Sequence, residues 1–389
     1  GQTAAITVPD KINNQKVVSL DNHGNRLIGA DQVTSLDTSN CTSLSIGDQA
    51  FESCTNLTSV NLSGCTSVGN HAFIACKNIN GSVDLSNCTS IGTHAFREDW
   101  QITSINLSSK CTFIGAFAFS GCSKMTSIGD LSGCTSIGQL AFDHCHLITG
   151  SIDLSSCTYI NVAAFRECWN ITSVTFPKNN SFIIGPQAFQ NCRAITGTID
   201  LSSCANIELE AFAGCKGITG TIDLSKCTYI GDNAFQYCSR ISKVTWPSSI
   251  QSIPKYCFSG CTNLGSFNSN SWGVFDLSGI TSIGKNAFQG TSVTDNVDLS
   301  SCTSIGESAF QDCSGITKVT WPSSIRSIPD KCFSGCTDLR SFNSDTTTLN
   351  LANITSIGSL AFEGCSNILS VTFPTTNAYT IGESAFSGC

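Results

Sequence analysis

Charge is what this chain has least of. Lys and Arg number 20 and Asp and Glu 28, so charged residues make up only 12% of the 389 and the net charge is −8. That is about half the usual charged share. The shortage of basic side chains excludes a nucleic-acid-binding domain, whose affinity comes largely from Lys and Arg on phosphates. It also excludes a polybasic membrane-surface segment. Long apolar runs are lacking too: none approaches the ~18 residues a spanning helix needs. Methionine occurs once, at Met125, and not at position 1; Gly1 reads as a processing scar left once a signal peptide is gone. Catalytic motifs are missing as well: there is no nucleophile elbow, phosphate loop, dinucleotide fingerprint or His-Glu-x-x-His. What remains is a chain with 40% hydrophobic residues, enough to bury a core and to exclude disorder. Ser and Thr number 97, so the surface is mostly hydroxyl and amide.

The first positive feature is a repeat. Ala-Phe recurs at Phe51, Phe73, Phe96, Phe119, Phe142, Phe165, Phe189, Phe212, Phe235, Phe288, Phe310, Phe362 and Phe386, and Cys-Phe replaces it at Phe258 and Phe333. These fifteen units follow one another at 22 to 24 residues, with two long steps of 30 and 29. One unit reads Cys54-x-x-Leu57-x-x-Val60-x-Leu62-x-x-Cys65, the leucine-rich-repeat pattern with Cys at its Asn/Cys position, then Val68-Gly69-x-x-Ala72-Phe73. Val60 and Leu62 alternate with Ser59 and Asn61, which predicts a short strand with one buried side. Such a unit cannot fold alone; stacked neighbours bury a shared core, with the phenylalanines as its spine. Residues Cys238–Phe267 and Cys313–Phe342 match at an offset of 75, and both carry extra residues, near Asn268–Val274 and Asn343–Thr348, expected to bulge as loops. Gly47, Gly69, Gly92 and Gly115, with Asn161 in the same column, suggest a left-handed conformation. Pro254 and Pro329 share that column and cannot have positive φ. Either those coils turn differently or glycine is there for close packing.

Ile6-Thr7-Val8-Pro9, Val17-Val18-Ser19-Leu20, the recurring Ile-Gly-x-x-Ala-Phe-x-x-Cys, and the strand endings Val174-Thr-Phe-Pro177, Val244-Thr-Trp-Pro247, Val319-Thr-Trp-Pro322 and Val371-Thr-Phe-Pro374 resemble the BspA-like leucine-rich-repeat proteins. The resemblance covers essentially the whole chain. It departs in the many Asp-Leu-Ser-x-Cys units, where Cys replaces a more usual apolar residue. The resemblance implies a secreted or surface protein of anaerobic or host-associated bacteria or parasitic protists, attachment to host proteins, matrix or other cells, and no shared catalytic residues. The fold expected is an α/β repeat: a right-handed leucine-rich-repeat solenoid with a parallel β-sheet on the concave face and mostly turns or short helices on the convex side. Residues 1–40 are expected to cap it, and 41–389 to form one continuous solenoid domain.

The 24 cysteines sit in columns: thirteen lie three residues after the Phe and eight lie eight residues before it. Cys41 falls two residues earlier, and Cys257 and Cys332 take the Ala site. No Cys-x-x-Cys pair occurs. Buried reduced thiols are the favoured reading over disulfides, whose Cβ vectors would run parallel here, or a metal site. An Asx column precedes the Phe by about twelve residues: Asn61, Asp84, Asn106, Asp130, Asp153, Asp200, Asp223, Asp276, Asp298 and Asn350. Each is expected to cap its own Asp-Leu-Ser turn, the sharper alternative being a surface for a cation or cationic partner. Trp100 and Trp169 follow the Cys position and are either partly buried at the strand entrance or a contact site. Trp246 and Trp321 fall at inward positions. His71 and His94 share a column, read as solvated positions since no third metal ligand is evident.

The function expected is therefore a non-enzymatic secreted or cell-surface binding protein with no cofactor and no metal. Its partner would be a protein of host matrix or cell surface, or a glycan. Asn61, Asp84, Asn106, Asp130, Asp153, Asp200, Asp223, Trp100 and Trp169 are the candidate contact residues. The alternative is an intracellular inhibitor or scaffold of the cysteine-bearing leucine-rich type, motivated by the thiols. The chain stops at Cys389 with no polar cap following, which predicts either a chain cut short or an apolar end open to end-to-end self-association.

Overall fold

The structure is a computed structural model that describes residues 4–12, 14–178, 181–269, 271, 273–343, 347–375 and 379–389. Parts of the two expected loops, residues 270, 272 and 344–346, lie outside the described residues. The chain forms two compact units, residues 1–199 and 200–389. Each is a parallel β-solenoid, with seven Phe-centred coils in the first and eight in the second, about fifteen in all.

Each coil has three sides. The first is the strand that the alternating pattern predicts. In the first unit it appears as Ser59–Asn61, Gly81–Asp84, Ile102–Leu107, Ser127–Gly129, Gly150–Asp153 and Ile171–Thr175. Neighbours pair in parallel, as Ile105 with Val83 and Asn106 with Asp84. Val60 and Leu62 are buried and Ser59 is exposed. Ala4–Thr7 joins this side by pairing with Val33–Asp37.

The second side is also a strand, which the expected scheme did not contain. Cys65–Val68, Ser90–Ile91, Phe113–Ile114, Ser136–Ile137 and Tyr159–Ile160 pair in parallel, coil upon coil. The second unit repeats both sides, for example Gly220–Asp223 with Ile241–Thr245 and Ser282–Ile283 with Ser304–Ile305.

The third side, around Ala-Phe, is built of turns rather than helix. The α/β label is corrected accordingly: the only helical segment among the described residues is the short 3-10 turn Ala30–Gln32. The reason lies in where the backbone hydrogen bonds go. At the Phe turn alternate amides reach the next coil, as Gln49 N to Asn70 O at 2.8 Å, Phe51 N to Ala72 O at 2.8 Å and Ser53 N to Ile74 O at 2.9 Å. The amides between them close tight turns, as Glu52 N to Gln49 O at 3.0 Å and Cys54 N to Phe51 O at 3.2 Å. This alternation requires left-handed residues two before and two after the Phe, such as Gln49 at φ 58° and Ser53 at φ 55°. Each costs an L-residue about 1–2 kcal/mol, offset by bonds to the neighbouring coil that no continuous helix could make.

The column of Gly47, Gly69, Gly92 and Gly115 is not left-handed. A Cβ on Gly92 would lie 2.5 Å from the Gly69 carbonyl carbon and 2.6 Å from the Asn70 nitrogen. Of the two readings the spacing left open, close packing is the one the structure adopts; because φ is not positive here, the fixed φ of Pro254 and Pro329 meets no conformational objection in the same column.

The phenylalanines form the spine within each unit. From Phe51 through Phe189 the rings stack at centroid distances of 5.1 to 5.5 Å with planes within 9°. From Phe212 through Phe386 the spacing is 5.3 to 5.9 Å. Trp246 and Trp321 are buried, and their indole N–H groups donate to Ile250 O at 2.9 Å and Ile325 O at 3.0 Å. Replacing a central spine residue, Phe165→Ala, removes a fully buried ring stacked on both sides. It is expected to cost about 3–5 kcal/mol, read as a lowered midpoint in urea unfolding.

Candidate functional site

The Asx column occupies the corner after the first strand. Asp84, Asp130, Asp153, Asp200 and Asp223 each accept, through Oδ1, the backbone N–H two residues on, at 2.8 to 3.1 Å. Asn61 does the same to Ser63 at 3.2 Å. Asp276, Asp298 and Asn350 repeat it further along the second unit, to which Asp200 and Asp223 also belong. The Asp side chains therefore make the turn itself: a carboxylate that accepts its own backbone is a local cap. Hydrogen bonds from Ser132 hold the Asp130 carboxyl below the usual carboxylate range. Asn106 stands in the same row by strand register with Asp84.

Trp100 and Trp169 lie at the opposite corner, before the first strand, and are 44% and 37% exposed. Their column runs coil by coil as Lys77, Trp100, Ser123, His146, Trp169 and Arg193. Lys77 Nζ sits 5.0 Å from the Trp100 ring centroid. His146 stacks on Trp169 at 4.0 Å, and the Arg193 guanidinium lies 5.3 Å from the same ring. The Trp169 indole N–H donates to Glu167, which also accepts from Asn191 Nδ2 at 2.7 Å. Below them the buried Asp143 takes a two-pronged contact from Arg166, at 2.8 and 3.0 Å, and one from His144 at 2.8 Å. The tryptophans are thus only partly buried, and they are bracketed by cations. The bracketing residues escape a reading of the sequence because each is ordinary alone; only the 23- and 24-residue steps bring them face to face.

The second strand side carries features that depend on a ladder the sequence reading did not contain. A groove of about 330 Å³ is lined by Asp48, Ser67, Gly69, Asn70, Ser90, Gly92 and Phe113, among others. Near the start of the first unit a smaller apolar cavity, about 220 Å³, is lined by Ile6, Leu27, Ile28, Ala30 and Phe51.

His71 and His94 are not simply solvated. Their rings stack at 4.8 Å, and His94 stacks in turn on Phe117 at 4.6 Å. Burial, with the nearby charges of His71 and Arg97, lowers the His94 pKa. Among the described residues no three His, Cys, Asp or Glu side chains converge as a metal site would require.

All 24 cysteines are free thiols, and all but Cys389 are buried. Their columns have a reason beyond size. Most thiols in the Phe-turn column donate to the Phe carbonyl of the preceding coil, as Cys122 to Phe96 O at 3.3 Å, Cys145 to Phe119 O at 3.2 Å and Cys168 to Phe142 O at 3.1 Å. The second column behaves alike, with Cys134 to Cys111 O at 3.0 Å and Cys157 to Cys134 O at 2.9 Å. Cysteine is the small apolar residue that also carries a weak donor. Burial pushes the Cys65 thiol up to about 11 and that of Cys157 up to about 12.

Two residues break the column: Thr291, whose hydroxyl donates to Phe288 O at 2.8 Å, and Asp99. Asp99 stands where the cysteine should be, three residues after Phe96 and between Cys76 and Cys122. It is fully buried, and neither carboxyl oxygen has a hydrogen-bond partner. Burial pushes its carboxyl well above the ordinary range; the Cys76 main chain opposes this and Glu98 adds to it.

A family model for the BspA type leucine-rich repeat region, in six copies, matches residues 24–149, 89–219, 183–275 and 267–389. Among solved structures, a leucine-rich repeat protein from Bacteroides ovatus is similar with a TM-score of 0.58 and 22% identity, over 99% of this chain and 84% of that one. A leucine rich cell surface protein from Faecalibacterium prausnitzii is similar over 89% of both chains, with 20% identity and a TM-score of 0.40. The pneumococcal vaccine antigen PcpA is similar over 98% of this chain and 89% of that one, with 12% identity and a TM-score of 0.38. No curated protein matches in sequence.

Proposed function

Since this chain belongs to the BspA-type leucine-rich-repeat family, we propose that it is a protein-binding repeat protein of the secreted or cell-surface kind, attaching to host, matrix or cell-surface proteins. The observation that carries the reading is the exposed aromatic and cationic row Lys77, Trp100, His146, Trp169 and Arg193. Trp and Arg are enriched among the residues that dominate the energetics of protein interfaces, since each buries a large area and keeps a polar handle. A row of them on an otherwise hydroxyl-rich and weakly charged surface is where a partner gains most. The Asx column borders the other end of the first strand and contributes, in this reading, turn rigidity and acceptor oxygens rather than anchors. In the same reading the solenoid winds right-handed, as parallel crossovers do, with the first strand side concave. Residues 1–40 act as its cap and 41–389 as one working array.

The test is surface plasmon resonance against a panel of matrix and cell-surface proteins. A specific partner is expected, and the double substitution Trp100→Ala with Trp169→Ala is expected to weaken it by about 30-fold or more, near 2 kcal/mol. A panel with no specific binder, or a partner indifferent to both substitutions, removes the reading. The intracellular inhibitor or scaffold remains the second reading. The 24 free thiols favour it, since an oxidising compartment works against so many reduced cysteines.

A further inference from the structure

We propose that the groove beside the second strand ladder of the first unit binds a neutral β-1,4-linked polysaccharide, laid across the coils with sugar rings against Phe113 and Tyr159. This site shares no residue with the Trp100 and Trp169 row.

The ladder register puts Ser90, Phe113, Ser136 and Tyr159 side by side in one row, while Ile91, Ile114, Ile137 and Ile160 form the row beneath and are buried. Phe113 is 45% exposed and Tyr159 partly so. The outward row therefore presents two aromatic rings, Phe113 and Tyr159, two coils apart with Ser136 between them. Adjacent strands lie about 4.8 Å apart, so the rings recur at about 9.6 Å. Phe113 also lines the groove of about 330 Å³, together with Asp48, Ser67, Asn70 and Ser90 and the apolar Ile46, Val68 and Ile91. A ligand crossing Phe113 runs on into this trough.

The spacing and the charge select the occupant. A β-1,4-linked chain is a flat ribbon in which each pyranose is turned by half a revolution from the last. The same face recurs every second sugar, and each sugar advances by nearly one coil step. Rings on alternate coils meet equivalent faces, and the intervening serine meets the opposite one. An extended peptide presents equivalent side chains about every 6.6–6.8 Å, out of step with the rings. The backbone groups a peptide strand would need are already paired between coils. An anionic polymer finds no basic side chain in the groove lining. Its one carboxylate, Asp48, is held by the Asn70 backbone N–H at 2.7 Å and by Asn70 Nδ2 at 3.2 Å.

The experiment is isothermal titration of the full chain with cellohexaose and chitohexaose. Cellobiose, maltohexaose and a heparin hexasaccharide serve as comparisons. At least one β-1,4 hexasaccharide is expected to bind, with cellobiose weaker by about ten-fold or more because it cannot span both rings. Maltohexaose and the heparin fragment are expected not to bind. Phe113→Ala and Tyr159→Ala are each expected to weaken binding about ten-fold. Ser90→Glu, which fills the trough at an outward position, is expected to do the same. Trp100→Ala with Trp169→Ala should leave glycan affinity unchanged, which separates this site from the protein-binding row. The proposal is overturned if neither hexasaccharide binds at about millimolar concentration, if the α-linked chain binds equally, or if Phe113→Ala and Ser90→Glu both leave the affinity intact in folded protein.

Discussion

Asp99→Cys is expected to stabilise the protein at neutral pH and to change little near pH 4. The carboxyl takes a column position where every neighbouring thiol donates to a carbonyl, and it is buried with both oxygens unpartnered. Burial raises its folded pKa well above the usual carboxylate range. Such a group contributes fully below the unfolded pKa, and the contribution is lost as pH rises through the folded one. Keeping such a carboxyl neutral above its unfolded pKa costs stability that grows with pH until the folded pKa is reached. Cysteine removes that cost and restores the donor. The difference between the two proteins should grow as pH rises from 4 towards the folded pKa, whatever the other carboxylates do, because their contributions cancel between variant and parent. Urea unfolding of both proteins at pH 4, 6 and 8 measures it. A difference that stays flat across that range would mean that Asp99 is solvated or paired.

The same residue shows how far the repeat could be read before the structure. The column three residues after each Phe is plain in the sequence, and Asp99 occupies it as plainly as Cys76 and Cys122 do. The phenylalanine spine, the inward Val60 and Leu62, the buried Trp246 and Trp321 and the self-capping Asp residues are all legible, because each follows from spacing plus the chemistry of one side chain. The second strand is not legible. Ser90–Ile91 and Ser136–Ile137 are two residues long, with one side chain out and one in, and two residues carry no period. They become strands only because the coil before and the coil after offer backbone in register. The turn ladder at the Phe side is hidden for a similar reason. Left-handed positions fall on His71, His94, Phe117 and Leu140, residue types that give no local sign of positive φ, since the inter-coil bonds impose it.

The site divides along the same line. Trp100 and Trp169 stand out by residue type alone, but the stack of His146 and Arg193 on Trp169 exists only through coil spacing. Phe113 and Tyr159 carry no local sign in the sequence that they share a row. Their shared row required the second ladder, and with it the groove.

Gly92→Ala is expected to be among the most damaging single-methyl additions to the first unit. Glycine is not there for its φ, so alanine meets no conformational objection; the whole effect is steric. The added Cβ would stand 2.5 Å from the Gly69 carbonyl carbon and 2.6 Å from the Asn70 nitrogen. Both are backbone, and neither can rotate away. The coils must separate locally, straining Gly92 N to Val68 O at 2.8 Å and its neighbours in the ladder. Overpacking of this kind costs about 1–3 kcal/mol, and each lost backbone bond adds about 1 kcal/mol, so a total of about 3–5 kcal/mol is expected. The chain contains its own comparison. Asn161 occupies the same column with a side chain, and its N–H reaches Ile137 O at 3.3 Å, where Gly69, Gly92, Gly115 and Gly138 all bond at 2.8 Å. One stretched bond is tolerated where a single coil carries the bulk. Gly81→Ala is the control: it meets nothing within 4 Å and has φ +82°, so it should cost only the about 1–2 kcal/mol of a left-handed alanine. Chemical denaturation of the two variants side by side decides it. If Gly92→Ala is no worse than Gly81→Ala, the coils are not packed backbone to backbone along this column.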